Sequence, residues 1–179
     1  MFRPLLTVTL LAALAGCGGG GGGSTDSSPT TPRTAKESLQ ALETAGDIPA
    51  LERSASVAGT DANADGVRDD VEAYIRTQYA SASAPQRTAA LQYARGMQAA
   101  LLVDPADGTA VKAVKRQLSR ANHCLYARFD SSSAVQPAAV GAQLRAVTTN
   151  TKARLLAYLA YSKALDGTSW AMPEGDTCE

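Results

Sequence analysis

The chain has 179 residues, and 17 Lys plus Arg are balanced by 17 Asp plus Glu, for a formal net charge of +0. That balance excludes a basic field able to gather nucleic acid or coat an anionic surface, and no basic run is interleaved with aromatic residues. Hydrophobic residues make up 45% but aromatic residues only 5%, and much of the apolar content is alanine, the best helix former. An all-α fold follows, a small bundle of about five helices with a thin core and an irregular C-terminal tail.

The first segment carries an address. Arg3 precedes an apolar run from Leu5 to Leu14, too short to span a bilayer but of signal-peptide proportions. It ends in Leu14-Ala15-Gly16-Cys17, which resembles the lipobox of bacterial lipoproteins. The resemblance implies cleavage before Cys17, a diacylglycerol on its sulfur and a further chain, such as palmitate, on the new amino group. One chain anchors marginally and two or more anchor stably, so the lipid bilayer becomes a partner. The other reading of this segment is an ordinary secretory signal with an incidental cysteine. A glycine run from Gly18 to Gly23 and a Ser, Thr and Pro-rich stretch follow. They cannot bury a core, and about seventeen such residues reach roughly 20–25 Å. Gly18 stands where an Asp retains some lipoproteins in the inner membrane; by analogy the outer membrane is expected, with the domain periplasmic or surface-exposed. The expected division is a signal at 1–16, a lipidated cysteine and tether at 17–34, and one helical domain at 35–179.

Residues 35–45 read as a short helix with Leu39 and Leu42 on one side, and residues 47–60 read as irregular. From Asp69 to about Ala80, Val71, Tyr74, Ile75 and Tyr79 recur at helical spacing. Pro85 suits the first turn of the next helix, which runs to about Val103 with Leu91, Ala94, Met97, Leu101 and Leu102 inward. Asp107-Gly108-Thr109 offers a capping turn to a long helix reaching about Phe129. That helix is expected to bury Val111, Val114, Leu118, Ala121 and Leu125, with Lys112, Arg116, Arg120 and then His123 on its opposite face. After a serine loop at 131–133, one helix presents Val140, Leu144 and Val147. The last, capped by Thr149 or Asn150, presents Leu155, Tyr158, Leu159 and Leu165, and Gly167 stops it. No alternating strand pattern exceeds a few residues, and there is no internal repeat.

The stretch richest in chemistry is Asp61-Ala62-Asn63-Ala64-Asp65-Gly66-Val67-Arg68-Asp69-Asp70-Val71-Glu72. Oxygen-bearing side chains fall at positions 1, 3, 5, 9 and 12, and glycine falls at position 6, as a hard cation with six to eight oxygen ligands requires. The stretch resembles a single EF-hand calcium loop and the similar loops of dockerin and thrombospondin type 3 repeats. The resemblance covers these twelve residues and implies one calcium ion, held by Asp61, Asn63, Asp65, the Val67 carbonyl, Asp69 and Glu72. Two departures stand out: Arg68 occupies position 8, usually aliphatic, and no entering helix precedes Asp61. The plainer reading is an Asx-rich turn whose last acids complement a helix N-terminus.

Once Cys17 is lipidated, Cys124 and Cys178 remain. Outside the cytoplasm such a pair usually oxidises, and a disulfide would tie the tail to a central helix. Two free thiols, with Cys124 buried, are the alternative. Enzymatic readings find little material. His123 is the only histidine, and it points about 100° away from Cys124 on a helix. There is no Gly-x-Ser-x-Gly elbow, and zinc would need more His or Cys ligands. The Lys112, Arg116, Arg120 row reads as a solvated face or as a dock for an acidic partner. Trp170 and the tyrosines read as packing groups rather than a sugar platform. The expected function is a membrane-anchored envelope lipoprotein with a structural calcium loop, acting as a non-enzymatic binding or structural module. The alternatives are an accessory or inhibitor subunit of an envelope assembly, or an envelope hydrolase using a carboxylate.

Overall fold

The computed structural model describes residues 34–130, 132–169 and 171–179. The signal-like segment, Cys17, almost all of the tether, Ser131 and Trp170 lie outside the described residues. Six helices follow in chain order: α1 (Ala35–Ala45), α2 (Asp69–Gln78), α3 (Ala84–Leu102), α4 (Gly108–Arg128), α5 (Pro137–Thr148) and α6 (Lys152–Ala164). There is no strand among the described residues, and no described helix is long and apolar enough to cross a membrane. The expected helical class holds, with six helices in place of about five. α1 forms over the expected residues 35–45 but buries none of them. It is fastened at its end by Glu43, which accepts the Leu51 N–H and meets the Arg53 guanidinium.

Local sequence explains most helix starts. Thr34 and Glu37 form a reciprocal capping box on α1, and Ser83 and Gln86 do the same on α3. Asp107 accepts the Thr109 and Ala110 N–H groups at 2.9 and 3.0 Å to open α4. Thr151, rather than Thr149 or Asn150, caps α6 by accepting the Arg154 N–H at 3.3 Å. Its two neighbours are committed elsewhere: Thr149 bonds back to the Arg145 carbonyl, and Asn150 crosses to Glu52.

The core centres on α3. Ala89, Ala90, Ala94, Met97 and Ala100 are fully buried, and short side chains let α4, α5 and α2 close around them. Val71 and Ile75 enter from α2, Val111, Ala121 and Leu125 from α4, and Val140 and Leu144 from α5. Tyr79 stacks edge-on against Phe129, with ring centres 5.9 Å apart, and donates its hydroxyl to Gln143 at 2.7 Å. Leu91, Val114, Tyr158 and Leu165 pack only half-buried at the margin.

Three leucines expected inside are outside: Leu102, Leu155 and Leu159 are 53%, 46% and 52% exposed. The inward residues of α6 are instead Arg154 and Tyr161. The reason is polar. The irregular segment at 52–57 presents the Glu52, Ser56 and Val57 carbonyls, and the Arg154 guanidinium donates to all three, with Asn150 joining at Glu52. That demand fixes the rotation of α6 against its own leucine stripe.

The tail folds back as expected. Cys124 and Cys178 form a disulfide, S–S 2.07 Å and Cα–Cα 5.0 Å. Beside it, Thr177 is buried, donates to the Arg120 carbonyl at 3.0 Å, and lies 3.0 Å from His123 Nδ1. Gln92 donates to the Thr177 carbonyl at 2.9 Å. His123 is therefore a half-buried anchor for the tail and not a free member of the basic face.

Candidate metal centre

The stretch 61–72 folds as one closed turn running into α2. Its neck is the bond from the Asp69 N–H to the Thr60 carbonyl, 2.9 Å. The reversal passes through two left-handed residues, Ala64 at φ 55° and Gly66 at φ 86°. Glycine takes this conformation without penalty, whereas alanine does not.

Each candidate ligand can be placed. Asp61 accepts the Asp65 N–H at 3.2 Å and the Gly66 N–H at 2.9 Å. Asn63 Oδ1 accepts the Asp65 N–H at 3.1 Å, and Asp65 Oδ1 accepts the Val67 N–H at 2.9 Å. Asp69 Oδ1 accepts the Ala62 N–H across the neck at 3.0 Å. Glu72, one turn into α2, comes back opposite Asn63, whose amide lies 3.4 Å from Oε1. Thus the third and last positions of the loop face each other. Burial pushes the Glu72 carboxyl above its ordinary range, and the Asp65 and Asp69 charges add to the shift. The nearest compensating cation is Arg95, whose guanidinium stands 3.9 Å from Asp65 Oδ2 and donates to the Asp65 carbonyl at 2.7 Å.

In this arrangement the carboxylates turn to the loop's own amides, which is the Asx-rich turn of the plainer reading. Among the described residues, no group of three or more His, Cys, Asp or Glu side chains is arranged to hold a metal ion. The donor set nevertheless fits a calcium ion. Four carboxylates, an amide oxygen and a carbonyl lie on one turn, Gly66 has the sharp φ the reversal needs, and Glu72 returns to the start of the loop.

The residue that sequence reading could mark only as a departure is the one the fold leans on. Arg68, at position 8, is fully buried. Its guanidinium grips Asp70 with two bonds of 2.8 Å and donates to the Thr148 carbonyl at 3.0 Å and the Val147 carbonyl at 3.3 Å, closing the C-terminus of α5. Arg154 is equally buried and donates to Val57, Ser56 and Glu52 carbonyls, to the Glu52 carboxylate at 3.2 Å and to Asn150 at 2.8 Å. Asn150 lies 3.4 Å from the Arg68 guanidinium, so the two arginines share it. Burial and the Arg68 charge pull the Arg154 guanidinium below its ordinary pKa, while Glu52 and Asp70 oppose the shift. Gly59 roofs this hub: a Cβ there would stand 2.3 Å from Arg68 Cδ. The hub was invisible to periodicity, because an arginine on an apolar face reads as an error until its partners, some 80 residues away, are known.

His123 and Cys124 do not form a reactive pair, since one is turned to Thr177 and the other is held in the disulfide. Lys112, Arg116 and Arg120 remain exposed along α4. No family model, no curated protein and no solved structure matches this chain.

Proposed function

We propose that this chain is a lipid-anchored protein of the bacterial envelope, moored through Cys17, whose helical domain is a non-enzymatic binding module braced by one calcium ion. The ligands are Asp61, Asn63, Asp65, the Val67 carbonyl, Asp69 and Glu72. One observation carries the reading: the turn at 61–72 closes so that Glu72 meets Asn63 across four anionic groups, with a single arginine nearby. The ion's role is structural. Val67, a ligand, and Arg68, the keystone of the hub, are consecutive and both buried, so fixing the loop fixes α2 against the α5–α6 turn. The donor count suits the affinity range of extracellular modules.

With calcium near 1 mM and a Kd of about 0.1 mM, mass action adds about 1.4 kcal/mol to stability. The test is thermal unfolding of the full-length chain with and without millimolar calcium. The wild type should gain roughly 3–6 °C, and Asp65→Ala should gain nothing. An equal gain in both proteins, or no gain in the wild type, sinks the calcium site. Separately, Cys17→Ala should move the protein from the membrane fraction to the soluble one; retention would sink the lipid anchor.

A further inference from the structure

The C-terminal tail does more than close the bundle. Between residues 167–169 and 171–173 on one side and the outer face of α4 on the other lies an open cavity of about 670 Å³. One wall is the row Lys112, Arg116 and Arg120, all exposed and, among the described residues, without a carboxylate partner. The other wall ends in an apolar ledge of Ala171, Met172, 68% exposed, and Pro173, beside the polar Thr168 and Ser169. Lys115 holds the walls together by donating to Thr168 Oγ1 at 3.0 Å and to the Ser169 carbonyl. Among the described residues, no acidic side chain lines the cavity. In a chain of zero net charge, the Lys112, Arg116 and Arg120 row is a local concentration of cations facing an apolar ledge.

We infer that this groove binds an extended acidic segment of a partner protein, in which acidic and apolar residues alternate. Spacing and chemistry together select that occupant. Cations four residues apart on a helix rise by about 6 Å each. Side chains on one face of an extended peptide recur every ~6.6 Å. Acids on one face of such a strand therefore meet the α4 row in register, while the alternate residues face Met172 and Pro173. A bilayer presents its anionic headgroups on a plane and would meet the row without entering the space behind it. The proposal deepens the reading of this domain as a binding module and names the chemistry of its partner. It does not draw on the calcium loop.

The test uses the full-length chain and fluorescent peptides in solution. One peptide alternates glutamate with valine; a second has the same composition with its glutamates in one block. The alternating peptide should bind about tenfold tighter than the block peptide, and more weakly as salt is raised. Arg116→Glu combined with Arg120→Glu should weaken it by at least about tenfold. Met172→Ser should erase the preference for alternation while leaving charge-driven binding. Equal affinity for the two peptides, or unchanged affinity in the double charge reversal, overturns the proposal. So does binding to phosphatidylglycerol vesicles in place of peptide, if the charge reversal abolishes it. Calcium-dependent melting of the same proteins reads the loop independently, so the failure of one reading leaves the other standing.

Discussion

Two irregular segments flank this helical bundle, and they are held by opposite means. The segment at 47–68, ahead of α2, is fixed without a covalent bond, by two buried arginines, its own Arg68 and Arg154 of α6, whose partners lie in α2, α5, Asn150 and the segment itself. The tail behind α6 is fixed by one disulfide to α4 and by one buried threonine bonded to both α3 and α4. Arg95 on α3 touches both, donating to the Asp65 carbonyl and to Glu179, each at 2.7 Å. The contrast teaches how a thin, alanine-rich core can support long irregular stretches. Where apolar area is short, order comes either from a cooperative set of charge-assisted hydrogen bonds or from a cross-link that restricts the unfolded chain. The first should fail all at once and the second locally.

The sharpest way to break the comparison is to remove one arginine. Arg68→Met keeps volume but strands Asp70, itself mostly buried, and frees the last carbonyls of α5. Breaking one side of a buried pair costs roughly 3–5 kcal/mol. The melting temperature should fall by roughly 10 °C or more, and hydrogen exchange should rise together at 52–60, at 61–72 and at the end of α5. Arg68→Lys should rescue little, because a point charge cannot grip Asp70 with two bonds while reaching two carbonyls. A loss confined to the loop would show that the hub is not one unit.

The complementary experiment cuts the tail. The disulfide closes a loop across a sequence separation of 54, worth about 4 kcal/mol at most by chain entropy. Replacing Cys124 and Cys178 together by serine should lower the midpoint of denaturant unfolding and release residues 167–179 to exchange. Protection at 61–72 should stay near its wild-type level. If the loop loosens equally, Arg95 transmits more than its two hydrogen bonds suggest.

These two segments also divide what could be read from sequence. The disulfide, the caps at Asp107 and near Pro85, and the acidic turn at 61–72 are local signals: the residues that matter sit within a few positions of one another, or are the only pair available. The helix faces of α2 through α5, apart from Leu102 at the end of α3, follow from a 3.6 period for the same reason. The failure of α6 has a different origin. Its leucines gave the stronger pattern, but Arg154 turned inward, where its guanidinium gathers the Glu52, Ser56 and Val57 carbonyls. Satisfying polar groups overrode burying apolar ones, and that demand depends on a segment almost 100 residues away. Arg68 was hidden for the same reason. The signal in the sequence is an arginine at position 8 of the acidic turn, where the resembling loops carry an aliphatic residue: such a cation asks for distant acceptors. The alternating acidic and aliphatic chemistry expected of the groove's occupant likewise depended on the tail's path, which no local pattern encodes.

The smallest expected effect is on acid stability, and it should separate the two segments again. Glu52 accepts the Thr60 N–H at 2.8 Å, meets the Ser54 hydroxyl and lies 3.2 Å from Arg154. The Ser54 and Thr60 hydrogen bonds, aided by the Arg154 charge, hold its carboxyl down at about 2 against an ordinary value of 4.5. Because the folded pKa is depressed, the ionised form stabilises the fold above pH 4.5, and that stabilisation drains away as pH falls from 4.5 toward about 2. Glu52→Gln should therefore melt below the wild type at neutral pH, and the gap should narrow through that window and close at its acid end. Comparison with the variant at each pH cancels the titration of every other carboxylate. Exchange at 52–60 should rise across the same window before it rises at 174–179, since the disulfide does not titrate. A gap that is constant with pH would mean that Glu52 acts through its backbone carbonyl, which Arg154 and Asn150 also grip, and not through its charge.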